Sequence, residues 1–301
     1  MLHNHTSFIL LSIALVVAGG VQAEDDHFTT DHFSGSGNCI QCHDGLAHNN
    51  GDNVSIVNVW SASMIANAAR DPFWKAKMAS EIHRNPQLTP VINDTCSKCH
   101  APMANYEITH HQGQDVELLG PDGILDPGHE LHDAALNGVS CTLCHQIADD
   151  AMLGTTEGFS GEYHINGSKT IYGQYADITP NPMINSTGYT PAYSAHISGS
   201  ELCASCHELT TAYVDAGGNL LTTTTETEFP EQTPYTEWLN SEFAESGSNP
   251  QSCQDCHMPQ TTAKIAGRPR WLASKSGFSK HHLVGANTTM MTLLRNNAAA
   301  L

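Results

Sequence analysis

The sequence predicts a mainly α-helical chain with much irregular structure and, at most, a small β-hairpin. Three observations favour this class. Ten cysteines fall in five copies of one unit, Cys-x-x-Cys-His, and no cysteine lies outside these copies. Apolar residues make up 40% of the 301 residues, a little low for a chain that must bury a conventional core. The connecting segments are rich in Gly, Asn, Thr and Pro, which favour turns and loops.

The repeated unit carries the chemistry. Its copies are Cys39–His43, Cys96–His100, Cys141–His145, Cys203–His207 and Cys253–His257. This spacing is the attachment signature of c-type haem, in which the two thiols become thioethers. On a helical turn the second Cys stands at i+3 and the His at i+4, so all three side chains share one face.

The units therefore predict five covalent haem c groups, which would form much of the core. The predicted tethers are Cys39, Cys42, Cys96, Cys99, Cys141, Cys144, Cys203, Cys206, Cys253 and Cys256. The predicted proximal iron ligands are His43, His100, His145, His207 and His257. Three alternatives fit less well. A zinc site needs no His after each Cys pair. A thioredoxin-like redox pair occurs once, in a βαβ setting. A disulfide scaffold is disfavoured because two cysteines so close in sequence would close only a very short loop.

The N-terminal residues predict export. An apolar stretch, Phe8–Val17, precedes a small-residue cleavage site at Val21–Ala23, as in secretory signals, although no Lys or Arg precedes the stretch. The stretch is too short for a membrane anchor, and no Cys follows it to carry lipid. We expect a signal peptide over 1–23, a single pentahaem domain over 24–301, and a location in the periplasm or outside the cell. A buried N-terminal helix is the alternative.

The formal net charge of −19 bears on partners. It disfavours nucleic acid. Redox partner proteins with basic patches, including other cytochromes, and dissolved or mineral cations are the expected partners. Plain solubility explains the charge equally well.

Local signals predict the elements in chain order. In the first half they are a loose lead-in over 24–38, a helix over 57–70, a helix from Phe73 to Arg84 capped by Asp71, a helix from Thr89 that carries the second unit, and a helical run over 131–137. In the second half they are mostly loop over 154–195 with a strand at Phe159–Ile165, a hairpin of 211–215 with 220–225, a helix from Pro234 to Phe243, a fifth-unit helix from Pro250 to Pro259, and a helix from Asn287.

The second axial ligand of each iron decides the function. A second His would close the iron for electron transfer, and an open position would admit a substrate. Of 19 histidines, five are proximal and two (His3, His5) lie in the signal segment, so 12 remain. The preferred distal ligands are His48, His111, His132, His196 and His282. His111 and His282 are second members of His-His pairs, so either member of each pair would serve. Met103 and Met258 are alternatives.

The residues around the units resemble multihaem c-type cytochromes of the superfamily that contains hydroxylamine oxidoreductase and tetrahaem electron carriers. The likeness is carried by Gly138–His145, Cys96–Met103, Cys253–Pro259 and His281–Gly285. The chain also resembles, more loosely, the cytochromes that polymerise into extracellular filaments. The resemblance implies a multihaem cytochrome c fold with closely stacked haems, most of them with His on both faces.

Together these observations predict an exported electron carrier for respiratory or extracellular electron transfer rather than an enzyme. No unit ends in Lys, the proximal ligand typical of pentahaem nitrite reductases. Two alternatives stay open. One is a reductase of small nitrogen or sulfur oxyanions with one open haem. The other is a subunit of a homo-oligomer or conductive filament.

Overall fold

The computed structural model describes residues 26–48, 50–221, 228–285 and 292. The predicted signal peptide, the last residues of the predicted hairpin and the predicted helix from Asn287 lie outside the described residues. Among the described residues, no helix is both long and apolar enough to cross a membrane.

The described chain is mixed, with eleven short helices and three two-stranded sheets. The helices are α1 Gly37–His43, α2 Ile56–Ser61, α3 Pro72–Arg84, α4 Thr89–His100, α5 Pro102–Tyr106, α6 His132–Leu136, α7 Cys141–Cys144, α8 Asn181–Thr187, α9 Ser200–His207, α10 Pro234–Leu239 and α11 Cys253–His257. Short 3₁₀ turns lie at Ala68–Arg70, Pro86–Leu88 and Ala195–Ser198, and Glu107–His111 forms a π-helical turn.

The strands pair locally. They are β1 Thr170–Gly173, β2 Thr190–Tyr193, β3 Leu209–Ala212, β4 Glu228–Gln232, β5 Gln260–Ala263 and β6 Lys275–Ser279. Strands β1 and β2 are parallel, whereas β3–β4 and β5–β6 are antiparallel. No sheet is large enough to organise the described chain, so the helices and loops around the five units determine its shape.

Several predicted helices are confirmed. Asp71 caps α3 by accepting a hydrogen bond from the backbone N–H of Phe73, with Pro72 at the first helical position. Helix α4 begins at Thr89 and carries the second unit to its end. Helix α6 lies within the predicted run over 131–137.

Other predictions were wrong in extent. The predicted helix over 57–70 ends at Ser61 and continues as turns, and the helix from Pro234 stops at Leu239 rather than Phe243. The fifth-unit helix begins at Cys253, because Ser252 and Asp255 form a reciprocal capping box there, not at Pro250.

The predicted β structure was also wrong in part. Within 159–165 only an isolated bridge between Ile165 and Ile147 forms, while β1, β2 and α8 occupy the region expected to be loop. The predicted hairpin turn does form, with Val214 bridged to Leu220, but β3 pairs with β4 from farther along the chain.

The lead-in to the first unit is not loose. Phe33 is 1% exposed and belongs to the main apolar cluster. The backbone of Gly35 and Gly37 packs so closely on Asp26 that a Cβ at either position would lie 2.5 Å or less from it. The prediction failed because the segment is polar in composition yet packs both of its phenylalanines, Phe28 and Phe33, against the core.

One apolar cluster joins the first three units. Its most deeply buried large members are Phe33, Met78, Met103, Leu118, Ile124 and Leu143. All of its fully buried members lie between residues 33 and 165. A second, small cluster of Leu46, Val54, Ala263 and Phe278 packs the loop after the first unit against the β5–β6 sheet. The described residues around the fourth and fifth units thus have little aliphatic core of their own.

We expect Gly138→Ala to destabilise the protein by about 2 kcal/mol or more. Gly138 has φ +60°, and a Cβ there would lie 2.5 Å from the backbone oxygen of Ala66. Denaturant unfolding would measure the loss. Gly113→Ala is the matched control, because Gly113 has φ +68° but faces open space, so it carries only the backbone cost of about 1 kcal/mol. Equal losses for the two variants would contradict the close approach at Gly138.

Candidate haem centres

All five units lie at the ends of helices. Helices α1, α4, α9 and α11 end on the His of their unit, and His145 directly follows α7. The two thiols and the imidazole of each unit therefore stand on one helical turn, as the spacing predicts. This is the local geometry that attachment of both cysteines and the iron to one haem requires.

Thiols from different units lie next to one another. Cys39 contacts Cys141, Cys99 contacts Cys206, and Cys203 contacts Cys253 through their side chains. A contacting thiol and burial raise the pKa of Cys203 and of Cys206, and Cys144 lies close enough to raise both further. In space the first unit therefore neighbours the third, the third neighbours the fourth, and the fourth also neighbours the second and the fifth.

The motif histidines are oriented by main-chain carbonyls. In four units the ring Nδ1–H donates to a carbonyl oxygen of another segment, which leaves Nε2 with no hydrogen-bond partner among the described residues. The pairs are His43 with Ile265 (2.9 Å), His100 with Ala68 (3.1 Å), His145 with Tyr172 (2.6 Å) and His257 with Val284 (2.5 Å). A histidine that binds a metal almost always donates its other ring N–H in this way, which fixes the tautomer and the ring orientation.

Burial keeps four of the five motif imidazoles neutral. Desolvation lowers the pKa of His43, His100, His145 and His207 below the ordinary value. The neutral ring is the form that binds a metal. Trp74 lies flat against His100, with ring centres 4.5 Å apart and planes 4° from parallel, and so covers one face of this imidazole.

Three of the predicted distal histidines have a ring nitrogen without a partner in the described chain. His132 donates Nδ1–H to the Ile124 carbonyl at 3.3 Å, which leaves Nε2 open. His48 is 2.8 Å from Asn50 through Nδ1. The Nδ1 of His282 is buried and has no partner. His48 and His282 line one open cavity of about 390 Å³ together with Lys280.

The other two are engaged by protein groups. Both ring nitrogens of His196 are bonded, Nδ1 to the Ser194 hydroxyl at 2.7 Å and Nε2 to the Ile147 carbonyl at 3.0 Å. The Nε2 of His111 lies 2.7 Å from Asp31. Their roles as iron ligands stay predictions, and each would require the present partner to be released.

His111 also belongs to a cluster that the sequence did not single out. One ligand atom each from His32, Glu107 and His111 lies within 4.8 Å of the others, which is a donor set suited to a transition-metal ion. Glu107 is 3% exposed and already accepts hydrogen bonds from Thr30 and from the backbone and ring of His32. These three hydrogen bonds hold the carboxylate in place and join the lead-in segment to the π-helical turn.

His281 is the member of the His-His pair that the sequence offered only as the alternative to His282. Its ring centre lies 6.3 Å from that of His145, with planes 24° from parallel. Its Nδ1–H donates to the Ser279 carbonyl at 2.9 Å. Burial, with His145 nearby, lowers its pKa to about 3, so the ring is neutral. The His-His pair was the only sequence signal, and it does not say which member faces a haem unit.

The donor set as a whole fits c-type haem. It combines paired thiols on helical turns with carbonyl-oriented imidazoles whose Nε2 atoms are open. Comparison with family models, with curated proteins and with solved structures found no match to this chain. Support for a function therefore comes from the five units and from the cysteine and histidine geometry around them.

Proposed function

We propose that this protein is an exported pentahaem c-type cytochrome that carries electrons along a chain of closely packed, bis-histidine haems. The observation that carries the proposal is the repeated local geometry. Five Cys-x-x-Cys-His units end helices, and in four of them a backbone carbonyl holds the His so that Nε2 is open to a metal.

When bound, the haems would supply one-electron chemistry at iron. The chain's own residues do the rest. The cysteines fix each group to its helix, and the carbonyl partners of His43, His100, His145 and His257 hold the rings and make them better donors. Because thiols of neighbouring units touch, the attachment points are close enough for stepwise transfer between groups.

Burial and nearby charge would set the reduction potential of each haem. Burial lowers the pKa of proximal rings such as His43 and His145, and the chain as a whole carries a net charge of −19. Negative charge stabilises the oxidised iron, so we expect low reduction potentials. The same charge favours partner proteins that present Lys and Arg, through electrostatic steering.

We expect the purified protein to contain five haems per chain, all low-spin when oxidised, because enough His is present to close every iron. Pyridine haemochrome assay and electron paramagnetic resonance would measure both quantities. Absence of covalent haem would contradict the proposal. One high-spin haem among five would instead favour a reductase with an open site, and a spectral change on dilution would favour a filament in which neighbouring chains close each other's haems.

A further inference from the structure

We propose that His281 is the sixth ligand of the iron that His145 holds. This inference rests on the proposed function and makes it more specific, because it assigns one distal residue to one haem unit. It replaces His282, the member of the pair preferred from sequence.

The distance between the two rings carries the assignment. A metal–imidazole bond is about 2.0 Å long, so a ring centre lies about 3.1 Å from the metal and two rings on opposite sides are roughly 6.3 Å apart. The ring centres of His145 and His281 are 6.3 Å apart. The separation leaves room for one iron atom between the two imidazoles.

Direct stacking explains the pair less well. Rings in face contact have closer centres, as Trp74 and His100 show at 4.5 Å. Aromatic pairs at 6.3 Å lie toward the outer end of the usual range, where attraction is weak. Two neutral, polar rings that are held near-parallel yet apart are better explained by a group that fits between them.

The hydrogen bonds of the two rings also support a metal between them. Each ring donates Nδ1–H to a main-chain carbonyl, His145 to Tyr172 and His281 to Ser279. Each Nε2 is then unprotonated, with no hydrogen-bond partner among the described residues. Two rings with the same tautomer and the same open nitrogen are what a bis-histidine iron requires.

The backbone around His281 is fixed by its neighbours. His281 follows β6, which pairs with β5 just after the fifth unit. On either side of it, the Lys280 N–H donates to the Pro259 carbonyl at 3.2 Å and the Val284 N–H donates to the His257 carbonyl at 3.2 Å. The segment that presents His281 to the third unit is thus anchored on the fifth, and the Ser279 carbonyl fixes the orientation of the ring.

The test compares His281→Ala with His282→Ala in the haem-loaded protein. We expect His281→Ala to keep five haems and to show one of the five as high-spin in electron paramagnetic resonance, because its iron loses a ligand. Added imidazole should return that haem to low spin. His282→Ala is the matched control at the next position and should keep all five haems low-spin.

His281→Met provides a second route if the Ala variant does not fold. A Met ligand raises the potential of a His-ligated haem, so one of five titration steps should move to higher potential. Five low-spin haems in His281→Ala, or an unshifted titration in His281→Met, would overturn the assignment and leave the pentahaem proposal standing. Absence of covalent haem from the wild-type protein would instead refute the proposed function itself.

Discussion

A chain with both Cys203→Ser and Cys206→Ser is expected to lose one haem of five and, with it, electron transfer between two parts of the molecule. The thiols of this fourth unit contact those of the second and the fifth, through Cys99 and Cys253. Cys144 of the third unit lies beside them as well. The second, third and fifth units therefore each have a cysteine beside the fourth unit.

The fall in electron transfer should be larger than the loss of one haem in five would cause by itself. The first and third units stay in contact through Cys39 and Cys141. The second and fifth units would no longer have their nearest neighbour. We expect the remaining four haems to be reducible at equilibrium, yet the current through an adsorbed protein film to fall steeply.

The matched control removes the haem of the fifth unit with Cys253→Ser and Cys256→Ser. Its Cys253 thiol lies against Cys203 of the fourth unit, at one end of the set of contacting thiols, so its loss should shorten the chain without dividing it. Haemochrome assay would confirm four haems in both variants, and film voltammetry would compare their currents. Equal currents would contradict the central position of the fourth unit.

Glu107→Ala is expected to destabilise the protein by about 3 kcal/mol, because it removes a buried charge from several hydrogen bonds at once. The carboxylate is 3% exposed. It accepts from the Thr30 hydroxyl at 2.5 Å, from the His32 backbone N–H at 2.9 Å and from the His32 ring at 3.0 Å. Without it these donors are left unpaired, and the lead-in to the first unit loses its attachment to the π-helical turn.

Equilibrium unfolding in denaturant, followed by circular dichroism, would measure the change. Glu157→Ala is the control, since Glu157 lies on the surface and should leave the free energy of unfolding essentially unchanged. Protease cleavage between residues 26 and 36 should also become faster in Glu107→Ala alone. A variant as stable as the wild type would show that water replaces the carboxylate without cost.

The helices that end at Cys-x-x-Cys-His units could be predicted because the signals are local. Asp71 with Pro72 defines the start of α3, and the Cys-x-x-Cys-His spacing itself calls for a helical turn. Locating the five units and the histidine that closes each of them needed no tertiary information. The same holds for the turn that Val214 and Leu220 close.

The partners of the histidines could not be predicted in this way. His43 is bonded to Ile265, 222 residues away, through a backbone carbonyl that every residue type offers. Which of His281 and His282 lies beside His145 depends on the turn that follows β6. The burial of Phe33 depends on the core to which the lead-in attaches. Each is decided by tertiary packing, on which composition and spacing carry no information.

The long reach of these carbonyl bonds has a consequence for biosynthesis. During synthesis His43 precedes its partner Ile265 by 222 residues, and the Gly267 N–H that donates to the Cys42 carbonyl is made later still. The first unit is therefore translated long before the groups that orient its imidazole exist. On the proposed function, the cysteines of this unit would have to be tethered to haem, or kept reduced, before those groups are in place. We therefore expect attachment at the first unit to be independent of the carbonyl that later orients His43.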